Sequence, residues 1–277
     1  MNDAGDRIES DGGEGASDDA RDVLVAGGGV AGLTAGVFTA RAGLDTLVVN
    51  DGESIVRRNA HLENVPGFPA GVNSHTFLDM LEAQAESNGC ELREGRVVEL
   101  RRAEADGATE ASAGFRVELS DGSELGADFV VAASWSDASY LEPTGVDLRT
   151  AGSKRYVGED GLGRTDVEGL YVAGRLAERY HQTVVSAGHG AQTALTLIHD
   201  SDIPYYHDWV APEGYFTDRG REVPPGCEEI DEDERLARER ESIETMSEYF
   251  DEPNPKRQRT HPSLSDDELN RLPDGDE

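Results

Sequence analysis

Residues 22–50 read DVLVAGGGVAGLTAGVFTARAGLDTLVVN, and this stretch decides the fold. Val23 to Ala26 predict a short buried strand, the glycine cluster a tight turn, and the following apolar residues a helix that stops at Gly43. Leu47 to Val49 predict a second strand. Strand, glycine turn, helix and strand in under thirty residues is the unit of a parallel sheet. Within it Gly27-Gly28-Gly29-Val30-Ala31-Gly32 is a GxGxxG that follows a strand and opens a helix. Gly27 permits the turn, and Gly29 lets the backbone N–H groups about Val30 and Ala31 approach a pyrophosphate at the positive helix end. Gly32 lets helix and strand pack closely. The acid that ordinarily ends the second strand and holds a ribose is displaced: Asn50 stands there, followed by Asp51, and either residue is a candidate for that contact.

Working outward, Asn73 or Ser74 caps a helix with Phe77, Leu81 and Ala85 on one face, closing at Gly89. Residues from Cys90 to Arg101 are extended. Phe115, Val117 and Leu119 alternate into the turn Ser120 to Ser123, and Phe129 to Ala132 follow as a buried strand, giving a three-stranded antiparallel flap on an α/β core. Residues 142–168 are turn-rich. Leu170 to Gly174 form one more buried strand, and Gly188 to Ile198 a closing helix. Residues 1–20 are an acidic tail with almost nothing to bury. Beyond Asp200, five aromatics between Tyr205 and Phe216 predict packing on the domain or across a dimer contact. The helix after them, with Leu236, Ile243, Met246 and Phe250 in one stripe, is expected to pack likewise. The organisation is thus a tail (1–20), a nucleotide-binding domain (21–200), a packed extension (201–251) and a loose acidic end (252–277).

Fifty-seven acids against 25 bases give a net charge of −32, and only Lys154 and Lys256 are lysine. Residues 21–200 alone carry 27 acids and 15 bases, so acidity pervades the folded part. Such a surface repels nucleic acid and is similar to that of cytosolic proteins of extreme halophiles, where concentrated salt screens self-repulsion. Cys90 and Cys227 are the only cysteines; they form no CxxC, which fits a reducing cytosol. No basic start followed by an apolar stretch and no run of 18 apolar residues is present, so neither secretion nor a membrane span is expected. No His, Cys and Asp spacing predicts a metal site. The acids Asp231 to Glu234 are read as favourable charge at a helix N-terminus, and Lys256 to Arg259 as local charge balance.

Three further segments carry a resemblance to low-molecular-weight thioredoxin reductases, over roughly residues 22–200. Glu63-Asn64-Val65-Pro66-Gly67-Phe68 resembles the E-N-aromatic-P-G-F loop of that family and implies Asn64 on the flavin side of FAD. Val130 to Trp135 stands where the family has an apolar strand ending in A-T-G; Trp135 replaces the glycine, repacking the chain there or covering the cofactor. Thr165 to Ala194 resembles the closing segment in which a G-D pair holds the ribityl chain and R-Q-A starts a helix at the ring. Here the pair is Gly174-Arg175, an inverted charge that either meets the pyrophosphate or weakens FAD binding. The resemblance implies that Gln182 and Thr183 bring backbone N–H groups to the flavin edge, where they would favour anionic reduced flavin. The resemblance also implies cofactor contacts from Val98 and Ala133.

The fold class implied is α/β, a Rossmann-like FAD-binding domain of parallel sheet and helices with a small antiparallel flap. Only about 25 residues stand where the reductases insert their nicotinamide domain with its CxxC, so that domain is expected to be absent. The function expected is an FAD-binding oxidoreductase that is not a conventional NADPH-dependent disulfide reductase, with an unidentified electron donor and acceptor, protein or otherwise, and a homodimeric state. The alternatives are a non-catalytic flavin or nucleotide-binding module and, more remotely, an NAD-binding dehydrogenase. His181 is the candidate proton donor, ahead of His189. Arg57, Arg58 and Asn59 are candidates for pyrophosphate or anionic substrate, or plain surface residues. Cys90 is a structural thiol, and Cys227, flanked by acids, a poor nucleophile.

Overall fold

The computed structural model describes residues 20–103, 114–135, 137–152, 154–205 and 207–256. The expected tail 1–19 and the end beyond 256 lie outside the described residues. Ala20, expected in the tail, instead opens β1 (Ala20–Ala26), whose Val23, Leu24 and Val25 are fully buried. Helix α1 (Val30–Arg41) leads to β2 (Thr46–Asn50), parallel to β1. Helix α2 (Ser74–Ser87) begins where expected: the Asn73 side chain accepts from the N–H groups of His75 and Thr76. Strand β3 (Glu91–Glu94) adds in parallel to β2.

Strands β4 (Val97–Arg102), β5 (Phe115–Leu119) and β6 (Glu124–Ala132) run antiparallel in turn. They are continuous with the main sheet rather than a separate flap, because β6 is long enough to change partners. Along one edge its first half pairs β5 and its end, Val130 to Ala132, pairs the last strand of the sheet, while along the other edge Gly126 to Ala132 lie parallel to β1. Beyond β6, a 3-10 segment (Ser139–Thr144) and a hairpin, β7 (Leu148–Ala151) with β8 (Lys154–Val157), precede β9 (Leu170–Val172), which pairs β6 in parallel. The order β3-β2-β1-β6, with β9 beside β6 and β5 and β4 beyond, makes one seven-stranded sheet.

Strand alternation divides the core between the faces. Val23, Val25, Val48 and Val131 meet the helices, whereas Leu24, Leu47, Val130 and Leu170 meet the antiparallel strands and the 3-10 segment. Helix α3 (Thr183–Asp200) starts five residues before the expected Gly188. Thr183, Val184 and Val185 are β-branched and weak helix formers, but docking overrides that preference. The docking is close: a Cβ on Gly190 would lie 2.2 Å from the Ala31 carbonyl oxygen of α1.

The extension packs on the domain through Arg41, which holds Asp208 in a forked pair at 2.5 and 2.7 Å. Trp209, Tyr215 and Phe216 stack edge-to-face around β10 (Trp209–Pro212), itself parallel to β11 (Cys227–Ile230); Tyr206 lies outside the described residues. Helix α4 (Glu232–Phe250), capped by Asp231, departs from expectation: Ile243 is 71% exposed, and Met246 and Phe250 are also exposed. Leu236 and Tyr249 are half-buried and the rest of the helix is polar or small; it is held at Arg238, which pairs with Glu228 of β11 at 2.7 Å, and at its end through Phe250 against Phe68. Residues 252–256, expected to be loose, continue that anchor, with Asn254 donating to Thr76 at 3.1 Å. Among the described residues no helix is long and apolar enough to cross a membrane.

Candidate functional site

Two helix N-termini open into one cleft of about 1350 Å³, and neither carries a side-chain cap. Helices α2 and α4 are capped by Asn73 and Asp231, so the uncapped ends are those facing the cleft. The first N–H groups of a helix have no intrahelical partner, and at α1 the first bond is Leu33 N–H to the Gly29 carbonyl. The N–H groups before it are open to a ligand, with the helix dipole favouring negative charge there.

The glycine loop is shaped by what it touches. Gly27 has φ +121°, its N–H donates to the Val49 carbonyl at 2.8 Å, and a Cβ there would lie 2.7 Å from the Ala133 oxygen. Gly32 is not in the cleft wall; a Cβ on it would fall 1.9 Å from the Gly27 oxygen, so its role is the turn. At Gly29 the space is open, with only the Ser54 hydroxyl at 3.6 Å. Gly29, Val30 and Ala31 form the wall.

Asn50 and Asp51 both reach the wall with different duties. The Asn50 side chain accepts from the Gly28 N–H at 3.0 Å and donates to the Gly52 carbonyl at 2.8 Å. Asn50 thus supports the loop as well as lining the cleft. Asp51 stays exposed, 3.6 Å from Arg96, which also bonds Asp137 at 2.9 Å.

The segments around Asn64 and Gln182 meet: Asn64 Nδ2 donates to Gln182 Oε1 at 2.8 Å. Asn64, Ala133, Arg175, His181, Gln182 and Thr183 all line the cleft. Gln182 differs in one respect, since its own N–H is spent on the Tyr180 carbonyl. The open N–H groups here belong to the first turn of α3, from Thr183 onward. Trp135 holds φ +57°, the left-handed conformation that a glycine would adopt freely, and its ring lies 5.9 Å from that of His181 at 67°. It therefore keeps the chain path and covers part of the cleft mouth.

Three expected contacts are elsewhere. Val98 is 41% exposed and Val97 lines the cleft instead, because adjacent strand residues point to opposite faces. Gly174 is buried behind the wall, its N–H donating to His189 Nδ1 at 3.0 Å, and a Cβ on it would meet that of Ala31 at 2.7 Å. Arg57 turns away to Asp79 and Glu82, at 2.8 and 3.1 Å, while Arg58 and Asn59 stay in the wall. His189, likewise behind the wall, is held neutral: burial lowers its pKa, and the nearby Arg179 adds to that. Cys90 is buried as expected, and burial pushes its thiol up to about 12.

Tyr140 and Arg155 also line the cleft and were missed by sequence reasoning. Arg155 belongs to the β7–β8 hairpin, whose signal was the alternation of Leu148 and Tyr156 about Gly152. Among the described residues no cluster of His, Cys, Asp and Glu gathers as a metal site.

A dinucleotide asks for open N–H groups at its diphosphate, close backbone approach and room for two ring systems. The cleft meets each demand, being larger than the roughly 300–1000 Å³ of drug-sized sites. A sequence model described as the FAD binding domain matches residues 22–61. The thioredoxin reductase of Aquifex aeolicus is 38% identical over 79 residues, covering 28% of this chain and 24% of that protein. That of Rickettsia felis is 27% identical over 123 residues, covering 43% and 36%. The chain thus spans about a quarter to a third of the curated relatives it matches. In fold it is similar to T. acidophilum thioredoxin reductase (TM-score 0.58, 15% identity, 66% of this chain and 99% of that one). A thioredoxin reductase from Gloeobacter violaceus is also similar (TM-score 0.54, 16% identity, 66% and 96%). The matched segment and the shared fold together support a thioredoxin-reductase-like protein with FAD as its cofactor.

Proposed function

We propose that this protein is an FAD-dependent oxidoreductase whose electron donor and acceptor lie outside the chain. The observation that carries the reading is the single cleft into which the α1 and α3 N-termini both open, with Asn64 bonded to Gln182 at the α3 end. Bound FAD supplies two-electron chemistry. The chain's own residues do the rest. The first turn of α1 holds phosphate, and the first turn of α3 stabilises negative charge at the far end. Asn64 and Gln182 tie the loop before α2 to the start of α3. Trp135 and His181 narrow the mouth against water, and His181 is placed to hand a proton to a group in the cleft.

Two features separate this reading from a conventional disulfide reductase. Residues 137–152 and 154–169 hold a 3-10 segment and a hairpin, which by the resemblance stand where the reductases insert their nicotinamide domain, and the two cysteines of the sequence are not vicinal; both support the reading. Cys90 is moreover buried with a raised pKa. Electrons then come from and go to partners, most simply proteins that reach the open mouth. The acidic, lysine-poor composition supports a cytosolic setting in concentrated salt, and the resemblance supports a homodimer.

The test is an absorbance spectrum of protein purified in molar KCl, followed by heat release and anaerobic reduction. Flavin bands near ~450 nm, FAD released about one-to-one and reduction by NADH, NADPH, a dithiol or a cell-extract fraction are expected. Protein that neither retains nor takes up FAD, or whose bound flavin no donor reduces, would sink the reading.

A further inference from the structure

Arg175 has the conditions of a guanidinium awaiting an anion. It lines the cleft, as do Val30 and Ala31 in the first turn of α1, and a Cβ on its neighbour Gly174 would meet that of Ala31 at 2.7 Å. Its bonded partners are both neutral: Nη2 donates to the Tyr156 hydroxyl at 2.7 Å and Nη1 to the Arg179 carbonyl at 3.1 Å. Nε is buried and has no partner. The other arginines of the wall differ. Arg96 faces Asp51 and Asp137, Arg155 faces Glu142, and Arg58, though unpaired, is exposed to water. A partly buried cation without a countercharge is costly, and an anion relieves that cost.

The hairpin determines where this charge sits. Tyr156 of β8 is 4% exposed, and its ring centroid lies 5.1 Å from the Arg175 guanidinium carbon as well as bonding it through the hydroxyl. Arg149 of β7 pairs with Glu178 at the end of the same loop. The β7–β8 hairpin therefore holds residues 174–179 through Tyr156 and Arg149, while its Arg155 lines the cleft. In a chain of net charge −32, the long-range field opposes a diphosphate, so a local cation has more to offset than in a neutral protein.

We propose that Arg175 is the countercharge for the diphosphate of the dinucleotide bound in this cleft, with Tyr156 as its positioning residue. The proposal rests on the FAD reading for the identity of the dinucleotide, but its chemistry is that of the diphosphate alone. It also gives the hairpin a purpose in the cofactor site.

The experiment titrates the wild-type protein, Arg175→Gln, Arg175→Lys and Tyr156→Phe with FAD, ADP and riboflavin, by calorimetry at one fixed KCl concentration. Circular dichroism melts run in parallel. Arg175→Gln is expected to weaken FAD and ADP about tenfold or more, the worth of a charge-assisted hydrogen bond. Arg175→Lys should keep part of that affinity, and Tyr156→Phe should lose a smaller share for the same two ligands. Riboflavin, which has no phosphate, should bind all four proteins alike. Equal ADP affinity in the wild type and Arg175→Gln, or a loss that extends equally to riboflavin, overturns the proposal. Wild-type protein that takes ADP through Arg175 but neither flavin would leave the clamp standing and remove the FAD reading; protein that takes none of the three removes both.

Discussion

Asn64 and Gln182 lie 118 residues apart in sequence, yet the amide of one donates to the amide oxygen of the other at 2.8 Å. The bond ties the loop before α2 to the residue that opens α3, and both line the cleft. An exposed neutral hydrogen bond contributes about 0.5–1.5 kcal/mol, most of it here through the spacing of the two walls. Asn64→Ala is expected to weaken FAD about three- to tenfold with little change in melting temperature. Fluorescence titration of FAD measures the first and circular dichroism the second; unchanged affinity would show that the two walls are set by other contacts.

The glycines of the turn separate folding from binding. Gly32→Ala forces a Cβ to within 1.9 Å of the Gly27 oxygen, where only backbone can give way. Overpacking of this kind costs typically about 1–3 kcal/mol, or roughly 2–10 °C in a domain of this size. Gly29→Ala meets nothing closer than 3.6 Å, so its melting temperature should move by about a degree or less. Its methyl group enters the cleft beside the open N–H groups, and FAD affinity should fall sharply. Melting curves and titrations on the two variants test this crossing of effects.

Trp135 provides an optical report. It lines the cleft beside His181, whereas Trp209 stacks with Tyr215 in the extension, 4.6 Å between centroids. These are the two tryptophans of the chain. Added FAD is expected to quench the emission of Trp209→Phe nearly completely and that of Trp135→Phe only weakly. Equal quenching in both variants would place FAD away from the Trp135 end of the cleft. Trp135→Gly should keep or slightly raise stability, because a left-handed non-glycine residue costs about 1–3 kcal/mol.

The parallel core was legible because its signals are local. Val23 to Ala26, the glycine turn and the helix to Gly43 are a short-range pattern in which each residue's conformation follows from its neighbours. Asn73 was equally readable as a cap. What escaped was tertiary. Thr183 to Val185 are helical only because α3 docks on α1 through Gly190, and Asn50 supports the loop only because Gly28 approaches it. Val98 and Val97 exchanged roles because a one-residue shift on a strand reverses the face. The β7–β8 hairpin was hidden by its shortness, and with it went Arg155 and Tyr156. Helix α4 has an apolar stripe that reads as buried, but among the described residues no partner surface covers Ile243.

His189 couples the loop behind the cleft to pH. Its Nδ1 accepts the Gly174 N–H, which requires the neutral ring, and burial lowers its pKa below the ordinary value near 6.5. The unfolded chain therefore takes up a proton near pH 6.5 that the folded chain refuses. Stability from this group is complete above that pH and is lost as the pH falls below it, at up to about 1.4 kcal/mol per unit. His189→Gln cannot be protonated, so its stability should be lower than wild type at pH 7.5 but fall less steeply towards pH 5.5. Carboxylates common to both proteins cancel in the difference. Denaturant melts of the two proteins in KCl at both values test the slope, and parallel pH dependences would remove His189 as its source.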